Sequence, residues 1–135
     1  MASELRVLTE HFGEKDVRSI DGYIENARGY SALRKALAGE GMEPDSVLAE
    51  IDASGLRGRG GAGFATGKKA SFIPKGDQTN FLTCNADESE PGTFKDRALM
   101  QYSPHRLIEG CILACYAINA LYGFIYIRGE YVLQA

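Results

Sequence analysis

Between positions 58 and 67 the chain reads Gly58-Arg59-Gly60-Gly61-Ala62-Gly63-Phe64-Ala65-Thr66-Gly67, and five of these ten residues are glycine. A regular helix or strand is not built from such a run. Each glycine costs roughly 0.5–1 kcal/mol relative to alanine inside an element. The sum weighs heavily against a typical net stability of about 5–15 kcal/mol. The fold must therefore carry a loop here, with ordered elements on either side. Glycine also lacks a Cβ, so a ligand can approach the backbone N–H groups closely and positive φ is open. Lys68 and Lys69 follow at once as counter-charges, so the first reading is a loop for a phosphate- or cofactor-bearing ligand.

The 135 residues make one domain's worth of chain, long enough to bury about two-thirds of the unfolded surface. Charged residues are 24% and the formal net charge is −3. That balance fits a soluble globular chain and excludes a dedicated nucleic-acid binder with a basic stripe. The basic cluster is local, with Arg57, Arg59, Lys68, Lys69 and Lys75 all around the glycine run. The N-terminus Met1-Ala2-Ser3-Glu4-Leu5-Arg6 has no apolar h-region, and the apolar stretch from Cys111 to Tyr122 is too short to span a bilayer. No signal peptide and no direct membrane insertion are expected. Three cysteines without a tight pair motif point to reduced thiols in a cytosolic setting.

Along the chain, residues 1–29 are weakly patterned and read as an irregular N-terminal arm. Leu33, Ala36 and Leu37 recur at helical spacing, with Gly39 and Gly41 as the stop. Pro44 starts a second helix with Val47, Leu48 and Ile51 on its apolar face, ended by Ser54-Gly55. Ala65 to Phe72 makes a short helical turn before Pro74. Phe81-Leu82-Thr83-Cys84 reads as a short buried strand. An acidic loop, residues 85–93, follows. Ser103 and Pro104 open the best helix, whose stripe is Leu107, Ile108, Cys111, Ile112, Cys115 and Ile118, with Gly123 expected to end it. Phe124-Ile125-Tyr126-Ile127 is a second strand. Strand, helix, strand is the footprint of an α/β fold with a parallel sheet. A pair of strands is not a finished sheet, so the reading expects a fragment, or a domain that needs partners to close.

Gly58-x-Gly60-x-x-Gly63 matches the dinucleotide fingerprint, but that fingerprint follows a strand and opens a helix, whereas here a helix precedes it. An ordinary phosphate loop, a flexible turn and a different cofactor loop all stand open on spacing alone. Phe64 and Phe72 flank Lys69 and can offer ring faces to a planar base, or simply pack in a core. Asp87, Glu88 and Glu90 crowd the acidic loop. Counted from Asp87 as an EF-hand, Pro91 and Ala98 stand where oxygen ligands are required, so a calcium site is rejected. A solvated turn and a ligand-bonding loop at a strand's end remain. Cys111 and Cys115 lie four apart on one helical face without further ligands, and they read with Cys84 as core thiols; no metal site is assigned. His11 and His105 show no partner in the sequence.

Two stretches then resemble one family closely: Ser54-Gly55-Leu56-Arg57-Gly58-Arg59-Gly60-Gly61-Ala62-Gly63-Phe64 and Cys84-Asn85-Ala86-Asp87-Glu88-Ser89-Glu90-Pro91-Gly92-Thr93-Phe94-Lys95-Asp96. They are similar to signatures of the FMN- and NADH-binding flavin subunit of NADH:quinone oxidoreductase (respiratory complex I) and of related diaphorase subunits. Ile127-Arg128-Gly129-Glu130-Tyr131 resembles the family's next block. The resemblance runs from about Gly29 to Ala135. It implies a partial Rossmann-like FMN-binding α/β domain over residues 30–135, N-terminal portion only, behind a helical N-terminal segment.

What the resemblance implies for the site is specific. Gly58, Arg59, Gly60 and Lys69 face FMN, with Asn85, Asp87 and Glu88 bonding to it from the second loop. Gly61, Gly63, Phe64, Phe72 and Glu90 face NADH. Hydride passes from NADH to FMN, and electrons leave singly to iron–sulfur clusters held in a missing C-terminal part or in partner subunits. The implied partners are other subunits of a membrane-associated or soluble NADH-oxidising complex. The implied location is cytoplasmic or matrix-side, peripheral to the inner membrane. Ala70 departs from the family, which usually has tryptophan there. An alternative is a non-catalytic truncated paralogue acting in assembly or docking.

Overall fold

The structure, a computed structural model, describes residues 6–13, 16–38 and 41–135. Three short helices come first: α1 (Ile20–Ala27), α2 (Ser31–Leu37) and α3 (Pro44–Ala53). The first corrects the expectation of an irregular arm. Ser19 supplies the start of α1, its hydroxyl accepting the Gly22 amide at 3.1 Å, and Arg28 in the left-handed region ends it. Ile20, Tyr23, Ile24 and Ala27 stand at helical spacing behind the Ser19 cap, so the signal for α1 is present in the sequence, although it lasts only 8 residues. The Gly39 stop lies outside the described residues. Pro44 opens α3 without a side-chain cap, and Ser54 closes it.

After the glycine run come α4 (Thr66–Ser71), β1 (Asn80–Ala86), α5 (Lys95–Tyr102), α6 (Pro104–Ala117) and β2 (Ala120–Ile127). The strands pair with each other in a two-stranded parallel sheet, with α5 and α6 in the crossover, so the fold is α/β. The helix α5 has no counterpart among the elements expected from sequence. The long helix also stops earlier than Gly123. Asn119 takes φ +51°, a conformation that suits its short polar side chain, and the chain turns straight into β2. Gly123 therefore lies inside a strand, where a Cβ would stand 3.0 Å from the Cys115 sulfur.

The chain groups into two compact units, one made of Met1–Ser31, Thr83–Gly110 and Ile125–Ala135, the other of Ala32–Leu82 and Cys111–Phe124. In the second unit Ala36, Val47 and Ala117 form a core, flanked by Met42, Leu48, Ile51, Leu113 and Tyr116. The Tyr116 hydroxyl donates to the Met42 carbonyl at 2.8 Å. In the first unit the buried apolar residues are Val17, Tyr23, Ala86 and Met100. Phe81, expected in a buried strand, is instead 57% exposed. Its ring stacks on Tyr122 and Phe124, with centroids 5.8 and 6.4 Å away. The three cysteines form no disulfide and are half-buried, and burial pushes the Cys115 thiol up. Among the described residues no helix is long and apolar enough to cross a membrane.

Candidate functional site

The glycine run is a hairpin clamped at its base. The Thr66 amide donates to the Leu56 carbonyl at 2.8 Å and the Gly58 amide to the Phe64 carbonyl at 2.9 Å, and Arg57 pairs with Ala65 in an antiparallel bridge. The elements that hold this base are α3 and α4, which pack face to face. Gly67 lets them approach, because a Cβ there would stand 2.7 Å from the Cα, Cβ and N of Asp52. Inside the hairpin the Arg57 guanidinium donates to the Gly63 carbonyl at 2.9 Å. This role for Arg57 is invisible in the sequence.

The tip is open. Gly61 and Gly63 hold φ of +124° and +62°, and a Cβ at Gly60, Gly61 or Gly63 would meet no atom within 4 Å. The amides of Gly60, Gly61, Ala62 and Gly63 donate to no protein acceptor among the described residues. Successive unpaired backbone N–H groups of this kind form an anion-binding concavity. Arg59, Lys68 and Lys69 are exposed and make no ion pair among the described residues. Lys75, counted with them from sequence, is occupied, with its Nζ 2.6 Å from the Asp45 carboxylate. Phe64 and Phe72 touch each other at 6.1 Å, tilted by 52°. They are 47% and 64% exposed, so they form an open apolar platform rather than core packing. Free amides, unpaired cations and an aromatic platform suit a ligand that is part phosphate and part planar ring, so these residues fit a flavin or dinucleotide.

The acidic loop is built differently. Asn85 and Asp87 are exposed. The Asp87 amide donates to the Asn85 side-chain oxygen at 3.0 Å, and Ser89 donates to the Asp87 carboxylate at 2.9 Å. Each side chain keeps atoms facing solvent. Glu90 is exposed too, and its carbonyl accepts the Thr93 hydroxyl at 2.6 Å. Glu88 stands apart, buried to 4% exposure. One of its oxygens accepts the Asp96 amide at 3.0 Å; the other accepts the Arg97 amide at 3.1 Å and the Tyr131 hydroxyl at 3.1 Å. Burial pushes the Glu88 carboxyl up, but those donors and the Lys95 charge pull it down further, leaving it below the usual range. The Glu88 carboxylate is thus engaged by protein donors.

A second polar cluster is also hidden from the sequence. Glu109 is buried in α6 and accepts the Tyr23 hydroxyl at 2.7 Å and the Tyr30 amide at 2.9 Å. Burial and the Glu109 contact push the Tyr23 phenol up to about 12. His105 does have a partner, since the Tyr30 hydroxyl lies 2.8 Å from its Nδ1. The Nε2 of His11 lies 3.6 Å from the Glu10 carboxylate. Among the described residues no group of His, Cys, Asp and Glu is arranged to hold a metal.

Of the residues singled out from sequence, Gly58, Arg59, Gly60, Gly61, Gly63, Phe64, Lys69 and Phe72 fall in one unit, and Asn85, Asp87, Glu88 and Glu90 in the other. A parallel crossover, with a glycine hairpin ahead of its first strand and a carboxylate loop after it, places the chain in the α/β class. More particularly, the chain belongs to the Nuo51 FMN-binding domain family, whose profile matches residues 51–135. It is 53% identical over 127 residues to a subunit of the NADH-quinone oxidoreductase of Streptomyces coelicolor, covering 93% of this chain and 27% of that one. It is 50% identical over 127 residues to the corresponding NADH-quinone oxidoreductase chain of Aquifex aeolicus, covering 94% of this chain and 29% of that one. A crystal structure of an NAD+-reducing [NiFe]-hydrogenase in the H2-reduced state matches with a TM-score of 0.65 and 49% identity, over 68% of this chain and 16% of that one. The chain therefore spans less than a third of the length of these curated relatives.

Proposed function

We propose that this chain forms part of the FMN site of an electron-entry flavoprotein that oxidises NADH. The observation that carries the reading is the open glycine hairpin, with unpaired amides at Gly60, Gly61 and Gly63 beside the unpaired cations Arg59 and Lys69. FMN, when bound, supplies the capacity to accept a hydride and to release electrons one at a time. The chain's own residues bind and orient it. Gly58 and Gly60 admit the ligand to the backbone, and Arg59 and Lys69 balance its negative charge. From the loop after β1, Asn85 accepts or donates hydrogen bonds and Asp87 accepts them. Gly61 and Gly63 leave room for NADH, Phe64 and Phe72 offer it an apolar platform, and Glu90 supplies an acceptor. Iron–sulfur clusters in other parts of the complex, at the cytoplasmic or matrix-side face of a membrane, would take up those electrons.

The names of the relatives, subunits of NADH-quinone oxidoreductase and an NAD+-reducing hydrogenase, support this reading. The test is a titration of the chain with FMN, following flavin fluorescence. Saturable quenching that weakens about tenfold or more in Lys69→Ala, as expected for loss of a charge-assisted contact, supports the proposal. Absence of binding by the chain, together with absence in a full-length relative bearing the same loop, defeats it.

A further inference from the structure

We propose that Glu88 is a positioning residue rather than a ligand: with Tyr131 and Arg128 it ties the loop after β1 to the turn after β2, and so sets where Asn85 and Asp87 stand. Only the last clause rests on the flavin reading; the tie itself does not.

The side chain of Glu88 is 1% exposed. An ionised carboxylate has about four acceptor sites on two oxygens, and three are taken by the amides of Asp96 and Arg97 and by the Tyr131 hydroxyl. Those amides are the second and third of α5, unpaired within any helix. The residue before the helix, Phe94, provides no side-chain cap, so Glu88 does this from eight residues upstream. A negative charge at that end is further favoured by the helix dipole. The backbone of Glu88 is held as well, its carbonyl accepting Arg128 Nη1 at 2.7 Å. Glu130 aims that guanidinium through two bonds, of 3.0 Å to Nε and 2.9 Å to Nη2. One residue thus joins three segments: the β1 loop, the start of α5 and the turn at 128–131. Asp87 is its chain neighbour and inherits its placement. The sequence singles out neither Tyr131 nor Arg128 as part of any site.

The test uses the 135-residue chain and its variants Glu88→Ala, Tyr131→Phe and Asp87→Asn. Two readouts are taken: amide hydrogen exchange over residues 85–97, and FMN affinity by fluorescence titration. Glu88→Ala and Tyr131→Phe are expected to speed exchange at Asp96, Arg97 and residues 85–89, while Asp87→Asn leaves Asp96 and Arg97 unchanged. FMN affinity falls in both of the first two, and the double variant that combines Glu88→Ala with Tyr131→Phe is no weaker than Glu88→Ala alone, since both act through one tie. Unchanged exchange at residues 85–89 in Tyr131→Phe, with wild-type FMN affinity, overturns the proposal. So does additive loss in the double variant. If the wild-type chain binds no FMN, the flavin reading fails for it, and the exchange data alone decide whether the tie exists. Should Glu88→Ala not fold, Tyr131→Phe carries the same two readouts.

Discussion

Gly67→Ala is expected to destabilise this protein, although glycine-to-alanine changes within helices ordinarily stabilise. Two effects compete. Alanine is favoured over glycine in a helix interior by about 0.8–1 kcal/mol. Against this, the new methyl would lie 2.7 Å from three atoms of Asp52, two of them backbone, where carbon contacts are comfortable near about 3.5–4.0 Å. Relief requires α4 to move off α3 by roughly an ångström, and the backbone of α3 cannot rotate away as a side chain would. Overpacking of this size costs about 1–3 kcal/mol. The clash outweighs the propensity gain, for a net loss of up to about 2 kcal/mol. A built-in control is Gly110→Ala in α6. That glycine is exposed, a Cβ there meets nothing within 4 Å, and its φ is regular, so the change is expected to stabilise by about 0.5–1 kcal/mol. Urea denaturation of the three proteins measures both. Because α3 and α4 hold the hairpin's base, Gly67→Ala also weakens FMN binding, whereas Gly110→Ala does not. A Gly67→Ala protein as stable as the wild type would falsify the claim that close helix approach holds the hairpin.

Further outcomes follow from the other clusters. Tyr23→Phe removes a bond to a buried carboxylate, for a loss of about 1.5–3 kcal/mol in urea denaturation, with the Tyr30 amide left as a partner of Glu109. The Tyr23 phenol is raised from 10.0 to about 12 in the folded chain. The unfolded chain therefore loses that proton first. Stability from this group is complete below pH 10 and is lost as pH rises towards 12, so an alkaline denaturation series should show a downward slope there that Tyr23→Phe flattens. On the acid side, Glu88 sits below its ordinary value of 4.5 when folded. Its contribution is complete above that value and disappears as pH falls through the lowered one; Glu88→Gln should remove that part of the acid slope, read from melting temperatures against pH. Phe64→Ala and Phe72→Ala delete exposed rings, so stability changes little while NADH binding weakens by about 1–3 kcal/mol per stacked base, measured by calorimetry. Equal NADH affinity in both variants and wild type would rule out the aromatic platform.

The legible parts of this chain are those whose cause is local. The helix over Pro44–Ala53 follows from a proline start and an apolar face. The α/β order follows from strand, helix, strand, and the family from two motifs whose residues are contiguous. Other features escape a reading of the sequence because their cause is faint or lies far along the chain. Ser19 caps a helix whose apolar spacing, Ile20, Tyr23, Ile24 and Ala27, is regular but lasts only 8 residues. Asn119 ends α6 because a turn into β2 needs positive φ, and nothing in the local pattern ranks it above Gly123. His105 gains a partner 75 residues away in Tyr30.

Glycine chemistry alone decided that residues 58–63 stand outside helix and strand with an uncovered backbone, since no element tolerates that density of glycines. Tertiary structure decided which charges near that loop are free and which are spent. Lys75 is taken by Asp45, Arg57 by the Gly63 carbonyl, and Glu88 by a helix end and a tyrosine. The reason is that a charged side chain's availability is set by what folding brings within about 3 Å of it, and composition carries no record of those distances.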